Sequence, residues 1–198
     1  ANHVAVGRDA LFTNTTGNGN VALGFQSLRA NTTASNNTAI GTNALLSNTT
    51  ASGNIAVGAY SLYNNTTGFS NVAIGTCQPS GYGAALEVNT TGDCNVAVGN
   101  GALRSNTTAD NNTAVGTLAS GCNTTGANNV AVGKTALQAN TTGHSNVAVG
   151  TYALIANTTS RDNVSLGFCS LNANTTGSRN TASGSLALDS NTTACDNT

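Results

Sequence analysis

One asparagine-led pentad recurs every 17 residues, and that interval constrains the fold more than any other feature of the chain. Asn-Val-Ala-Val-Gly or a close variant starts at Asn20, Asn37, Asn54 and Asn71, then at Asn95 and each seventeenth residue to Asn180. Asn197 opens a further copy, and His3 stands in the asparagine's place at the start. The full unit is N-V-A-V-G-x-x-A-L-x-x-N-T-T-G-x-x, whose residues are numbered 1 to 17 below. The only irregular step, 24 residues from Asn71 to Asn95, carries a seven-residue insertion at about 76–82 in "TCQPSGYG", with the only proline, Pro79. Phase is kept on both sides of it, so it is expected to be a loop on one coil, and residues 1–198 form a single domain. A strict period of this length is the signature of a repeat architecture, in which each unit buries its apolar face only against its neighbours.

The unit does not suit a helix. Its apolar segments are too short and too rich in Gly, Asn and Thr to sustain a 3.6-residue stripe. "NVAVG" alternates β-branched residues around a small one, as a short strand does. Glycine at position 5 recurs in all eleven copies, Gly7 to Gly184, which marks a corner of positive φ or a close backbone approach. "NTTG" supplies turn chemistry. With 7% charged and 4% aromatic residues, no Met and no Trp, the chain lacks the large side chains of a globular core. Stacked small layers remain: an all-β solenoid of about eleven 17-residue coils, on the order of 50 Å long at a strand spacing of about 4.8 Å. In the simplest packing, Val, Ile and Leu of positions 2 and 4 and Leu of position 9 fill the interior. Alternation then turns the position-3 alanine outward as a smooth packing surface, although it is Ala in every copy except Ser165. The opposite packing puts Ala inside and Val outside, in an interface. Either version favours an oligomer or fibre.

Other functions find little in the chain. Net charge is −1, with six Lys and Arg spread thinly, so there is no electrostatic footprint for nucleic acid. No apolar run reaches membrane-spanning length. His3 and His144 are far apart, and acids such as Asp93, Asp110 and Asp162 sit at variable turn positions. There is no phosphate loop, metal-ligand spacing or calcium repeat. A site in the insertion, with Tyr82 and Glu87, has little behind it. The chain is read as a non-enzyme without cofactor or metal.

The tripeptide Asn-Thr-Thr occurs once per coil, at Asn14, Asn31, Asn48, Asn65, Asn89, Asn106, Asn123, Asn140, Asn157, Asn174 and Asn191. Each satisfies the N-glycosylation acceptor pattern. Weaker acceptors arise at Asn36, Asn64, Asn111 and Asn163. The competing account is a side-chain ladder, for which Asn and Thr columns are well suited. The residues after the position-1 asparagine drift, whereas those after the position-12 asparagine never change, even to Ser. That contrast favours a row of glycans over a ladder. O-linked sugars on the threonines are a further option. An ice-ordering threonine array is the rival functional class, weakened because only one of two adjacent threonines points outward in an extended segment.

Five cysteines, Cys77, Cys94, Cys122, Cys169 and Cys195, are an odd number and lack zinc-ligand spacing. Cys77 and Cys94 are a candidate disulfide, and Cys195 a candidate cross-link to a neighbouring protomer. The chain does not start with Met, and neither end breaks the pattern, so it is expected to be a segment of a longer array or a protomer that stacks head to tail.

The pentads "NVAVG", "NTAIG" and "NIAVG" followed by "ALxxN" resemble the β-roll heads of trimeric autotransporter adhesins and the repeats of phage and virus tail fibres. The N-x-V-x-G rhythm is also similar to the β-roll of grass ice-binding proteins. The adhesin resemblance implies a left-handed solenoid at a cell or virion surface, with adhesin or tail-fibre function and contacts to carbohydrate or cells as options. The expected protein is an extracellular, self-associating structural filament, N-glycosylated along its Asn-Thr-Thr edge.

Overall fold

The computed structural model describes residues 2–77 and 83–198, so the expected loop at about 76–82 lies, from Gln78 to Tyr82, outside the described residues. Each repeat makes one coil of a parallel β-solenoid. Eleven strands of three residues, Val4–Val6 first and Thr181–Ser183 last, stack in chain order into one parallel sheet. Every strand pairs with the next at identical repeat positions, as in Val130↔Val147, Ala131↔Ala148 and Val132↔Val149. The long step leaves this register intact, with Val72 opposite Val96.

Hydrogen bonding between coils continues beyond the short strands. The Gly24 amide donates to the Val6 carbonyl (2.8 Å), Leu28 to Ala44 (3.0 Å) and Thr32 to Thr49 (3.0 Å). Two turns then close each coil, as where the Ala102 amide donates to Gly99 (3.3 Å) and that of Asn106 to Leu103 (3.0 Å). The buried core consists of alanines of positions 3 and 8 and the leucine of position 9, among them Ala97, Ala102 and Leu103.

The position-3 alanine is therefore inside, and the simplest packing is corrected: Val, Ile and Leu of positions 2 and 4 lie on the outer face of the sheet. The reason is the bore of the coil. Opposite walls stand so close that a position-3 side chain touches a position-8 side chain directly, as the Ser165 and Ser170 hydroxyls do at 2.6 Å. Two methyl groups fill that gap and two isopropyl groups would not. The large core residue of a coil is the position-9 leucine, replaced once by Ser120 with Leu118 nearby, and it enters from a corner with its backbone in the left-handed region (φ 52° at Leu45, 48° at Leu103). That conformation costs a non-glycine residue about 1–2 kcal/mol. Complete burial of the side chain returns about 1.5–3 kcal/mol, so the leucine stays in.

Candidate functional site

Two columns of buried asparagine run along the rod, at positions 1 and 12. In mid-stack, Asn106 Nδ2 donates to Asn89 Oδ1 of the preceding coil (2.9 Å) and to the Ala109 carbonyl three residues on (3.0 Å). Its Oδ1 accepts from Asn123 Nδ2 of the following coil (3.0 Å). Asn95 of the other column donates to the same Ala109 carbonyl (2.8 Å), so two amides converge on one oxygen and close the coil. Asn95 Oδ1 accepts the Asn112 backbone amide (3.0 Å). Asn95 and Asn106 thus each work within their coil and between coils. Burial excludes water as a competitor, which makes every such bond stronger and every missing one more costly.

The nine inner asparagines of position 12, Asn31, Asn48, Asn65, Asn89, Asn106, Asn123, Asn140, Asn157 and Asn174, expose none of their surface. Asn14 and Asn191, in the outermost copies, are half-buried and use Nδ2 on the same kind of carbonyl. A row of glycans does not fit this geometry. An N-linked sugar attaches to Nδ2 and replaces one of its hydrogens, but both hydrogens are in use and the surrounding space is filled by the adjacent coils. Among the weaker acceptors, Asn163 is buried in the position-1 column, donating to Asn146 Oδ1 (3.1 Å) and Ser160 Oγ (2.9 Å). Asn64 is half-buried, while Asn36 and Asn111, at position 17, are exposed. In glycopeptide mapping of the chain from its source, any N-linked hexose is expected on Asn36 or Asn111, with the inner column bare; occupancy at Asn106 would refute this.

The two threonines of each tripeptide separate in role. The first bonds the next coil through its hydroxyl, as Thr107 Oγ1 does to the Thr124 carbonyl (3.1 Å) and Thr141 Oγ1 to that of Thr158 (3.1 Å). The second, as at Thr108, Thr125 and Thr142, is exposed. A single file of outward threonines results, rather than the two ranks that a flat water-ordering array needs.

The remaining candidates stand apart. No disulfide joins Cys77 and Cys94, whose amides donate to the Ala59 (3.3 Å) and Phe69 (3.1 Å) carbonyls at different corners of the coil. Cys195 is exposed, and its Sγ accepts the Ser178 amide (3.3 Å). His3 takes the position-1 asparagine's part, its Nδ1 accepting the Asn20 amide (3.2 Å); His144 is exposed, beside Ser145 Oγ (3.3 Å). Asp93 and Asp110 accept backbone amides of the preceding coil, from Phe69 (2.9 Å) and Asp93 (2.8 Å). Asp162 pairs loosely with Arg161 (3.7 Å), and Glu87 accepts the Ala84 amide (2.9 Å). Arg179 donates to both Asp196 oxygens (2.6 and 2.9 Å), and those hydrogen bonds hold the exposed carboxyl below its ordinary range. Among the described residues no three His, Cys, Asp or Glu side chains gather where they could hold a metal.

The fold and its core define the class: a parallel β-solenoid tied internally by an asparagine ladder. Compared with family models, curated proteins and solved structures, the chain matches none.

Proposed function

We propose that this chain is a structural filament protein of a cell or virion surface, built to carry length rather than chemistry. The observation that supports this is the direction and continuity of the ladders. In every inner coil, Nδ2 of position 12 points to Oδ1 of the coil before, and Oδ1 receives Nδ2 of the coil after, as at Asn89, Asn106 and Asn123. A coil therefore offers opposite, complementary groups on its two faces. A further coil placed in register, whether from the same chain or from a second copy, would meet the same donors and acceptors. Resistance to pulling would be shared among backbone, asparagine and threonine bonds at every coil boundary. The surface setting rests on the resemblance of the repeats to adhesin heads and tail fibres.

Electron microscopy of the purified chain over a range of concentrations tests the proposal. Threads that lengthen in steps of about 50 Å are expected from eleven coils at strand spacing. Rods of a single length at every concentration would refute head-to-tail stacking.

A further inference from the structure

The outer face of the sheet is an uncharged, largely apolar strip. Positions 2 and 4 of the eleven strands are Val, Ile, Leu, Thr or Ser, without one charged residue among them. Ile55, Ile74, Val149 and Leu166 each leave more than a third of their surface in water (39%, 39%, 38% and 39%). The side chains form two ridges about 7 Å apart, two residues of an extended strand, with a groove between them over the inward-facing alanines. A strip about 50 Å long and 12 Å wide presents roughly 600 Å² on one molecule. Two such strips face to face bury about 1,200 Å², the lower bound of a stable specific interface.

From this we infer that the strip is the interface between two copies of this chain, packed side by side with their sheets face to face. Three features select a second copy as the occupant. Matched area is the first. The second is periodicity: ridges spaced by one strand along the axis mesh at every coil only with a surface of the same spacing, which another copy has by construction. The third is the border. Beyond the strip, the exposed residues of positions 6 and 17 are mostly polar, among them Arg8, Lys134, Asp162 and Arg179, with Phe168 (52% exposed) an apolar exception, so charge occurs at the border and is absent from the centre. The pairing goes beyond the filament proposal and does not depend on it: stacking lengthens a rod, whereas pairing doubles its cross-section.

Sedimentation equilibrium of the full chain tests the inference. Below the concentration at which threads form, a species of twice 19.5 kDa is expected, that is 2 × 19.5 = 39 kDa. Substituting Val98, Val115 and Val132 by Lys should return it to the single-chain mass, with the sheet signal in circular dichroism retained. The milder Val→Thr changes at the same three positions guard against a folding defect, since threonine already occupies outer strand positions at Thr38 and Thr113. They should weaken pairing about tenfold or more. Lysines on the threonine edge, T108K with T125K, should leave the doubled mass unchanged. A wild-type chain that stays at 19.5 kDa into the hundred-micromolar range, or a triple-lysine variant that still pairs, would overturn the inference. Threads that persist in the lysine variant but lose half their width would support it while leaving head-to-tail stacking intact.

Discussion

Asn106→Asp, a change of one amide for one carboxylate in the middle of the rod, is expected to destabilise the chain by about 4 kcal/mol or more at pH 7. The side chains have the same shape, so packing is unaffected and the loss is polar. The new carboxylate would face Asn89 Oδ1 and the Ala109 carbonyl, acceptor against acceptor, where Nδ2 now donates at 2.9 and 3.0 Å. It would also be an unpaired charge at a site that exposes none of its surface. Asn106→Ala should cost about 3 kcal/mol, because it leaves Asn89 Oδ1 and one Asn123 Nδ2 hydrogen unsatisfied in the core. The Ala109 carbonyl keeps Asn95 as a donor (2.8 Å) and is not orphaned.

The Asn106→Asp defect also has a pH signature. Burial disfavours the ionised form, so the introduced carboxyl has a folded-state pKa above its unfolded value of about 3.9. The penalty is smallest below that unfolded value, grows as pH rises toward the folded-state pKa, and is constant above it. Repeat arrays couple mainly nearest neighbours, so a central break should divide urea unfolding into two steps, one for each half of the stack. Thr108→Ala, on the exposed edge two residues away, should stay within about 0.5 kcal/mol of wild type. An Asn106→Asp variant with an unchanged midpoint and one transition would mean that the asparagine ladder contributes nothing to stability.

Gly116→Ala is the second large effect. Gly116 has φ +134°, and a Cβ there would lie 2.5 Å from the Gly133 carbonyl oxygen and 2.7 Å from its carbon. Both are backbone atoms of the next coil, which is held by the Gly133 amide donating to Val115 (2.8 Å). Making room means separating the coils, so a loss of about 4 kcal/mol or more is expected. The last glycine of the column separates the causes. Gly184 has a similar φ of +126° but meets nothing within 4 Å, so Gly184→Ala should show backbone strain alone, about 1–3 kcal/mol. Equal losses in the two variants, measured by thermal and urea unfolding, would show that coil contact plays no part in keeping this column glycine.

Much of the architecture was legible in the repeat, because a period that survives a seven-residue insertion can come only from a unit stacked on copies of itself. The invariant glycine column marked a backbone constraint, and the position-9 leucine marked the core; both are where the periodicity places them. The left-handed backbone of that leucine carried no local signal, since leucine does not seek positive φ and accepts it only when burial offsets the strain. The face of the strand was not legible either. Alternation says that Ala97 and its neighbours Val96 and Val98 point to opposite sides, but which side is inside depends on the distance to the far wall. Asn-Thr-Thr was ambiguous for a related reason: the same three residues serve as a glycan acceptor when exposed and as a ladder when buried.

The chain's own sequence thus determined the coil length, the number of coils, their parallel register and the corners that must be glycine, all of which follow from repetition and local sterics. Only the tertiary structure decided that alanine lines the bore, that valine faces out, and that the position-12 asparagine is walled in by its equivalents above and below. Those outcomes depend on how closely non-adjacent segments approach, a distance that no residue type or spacing within one coil encodes.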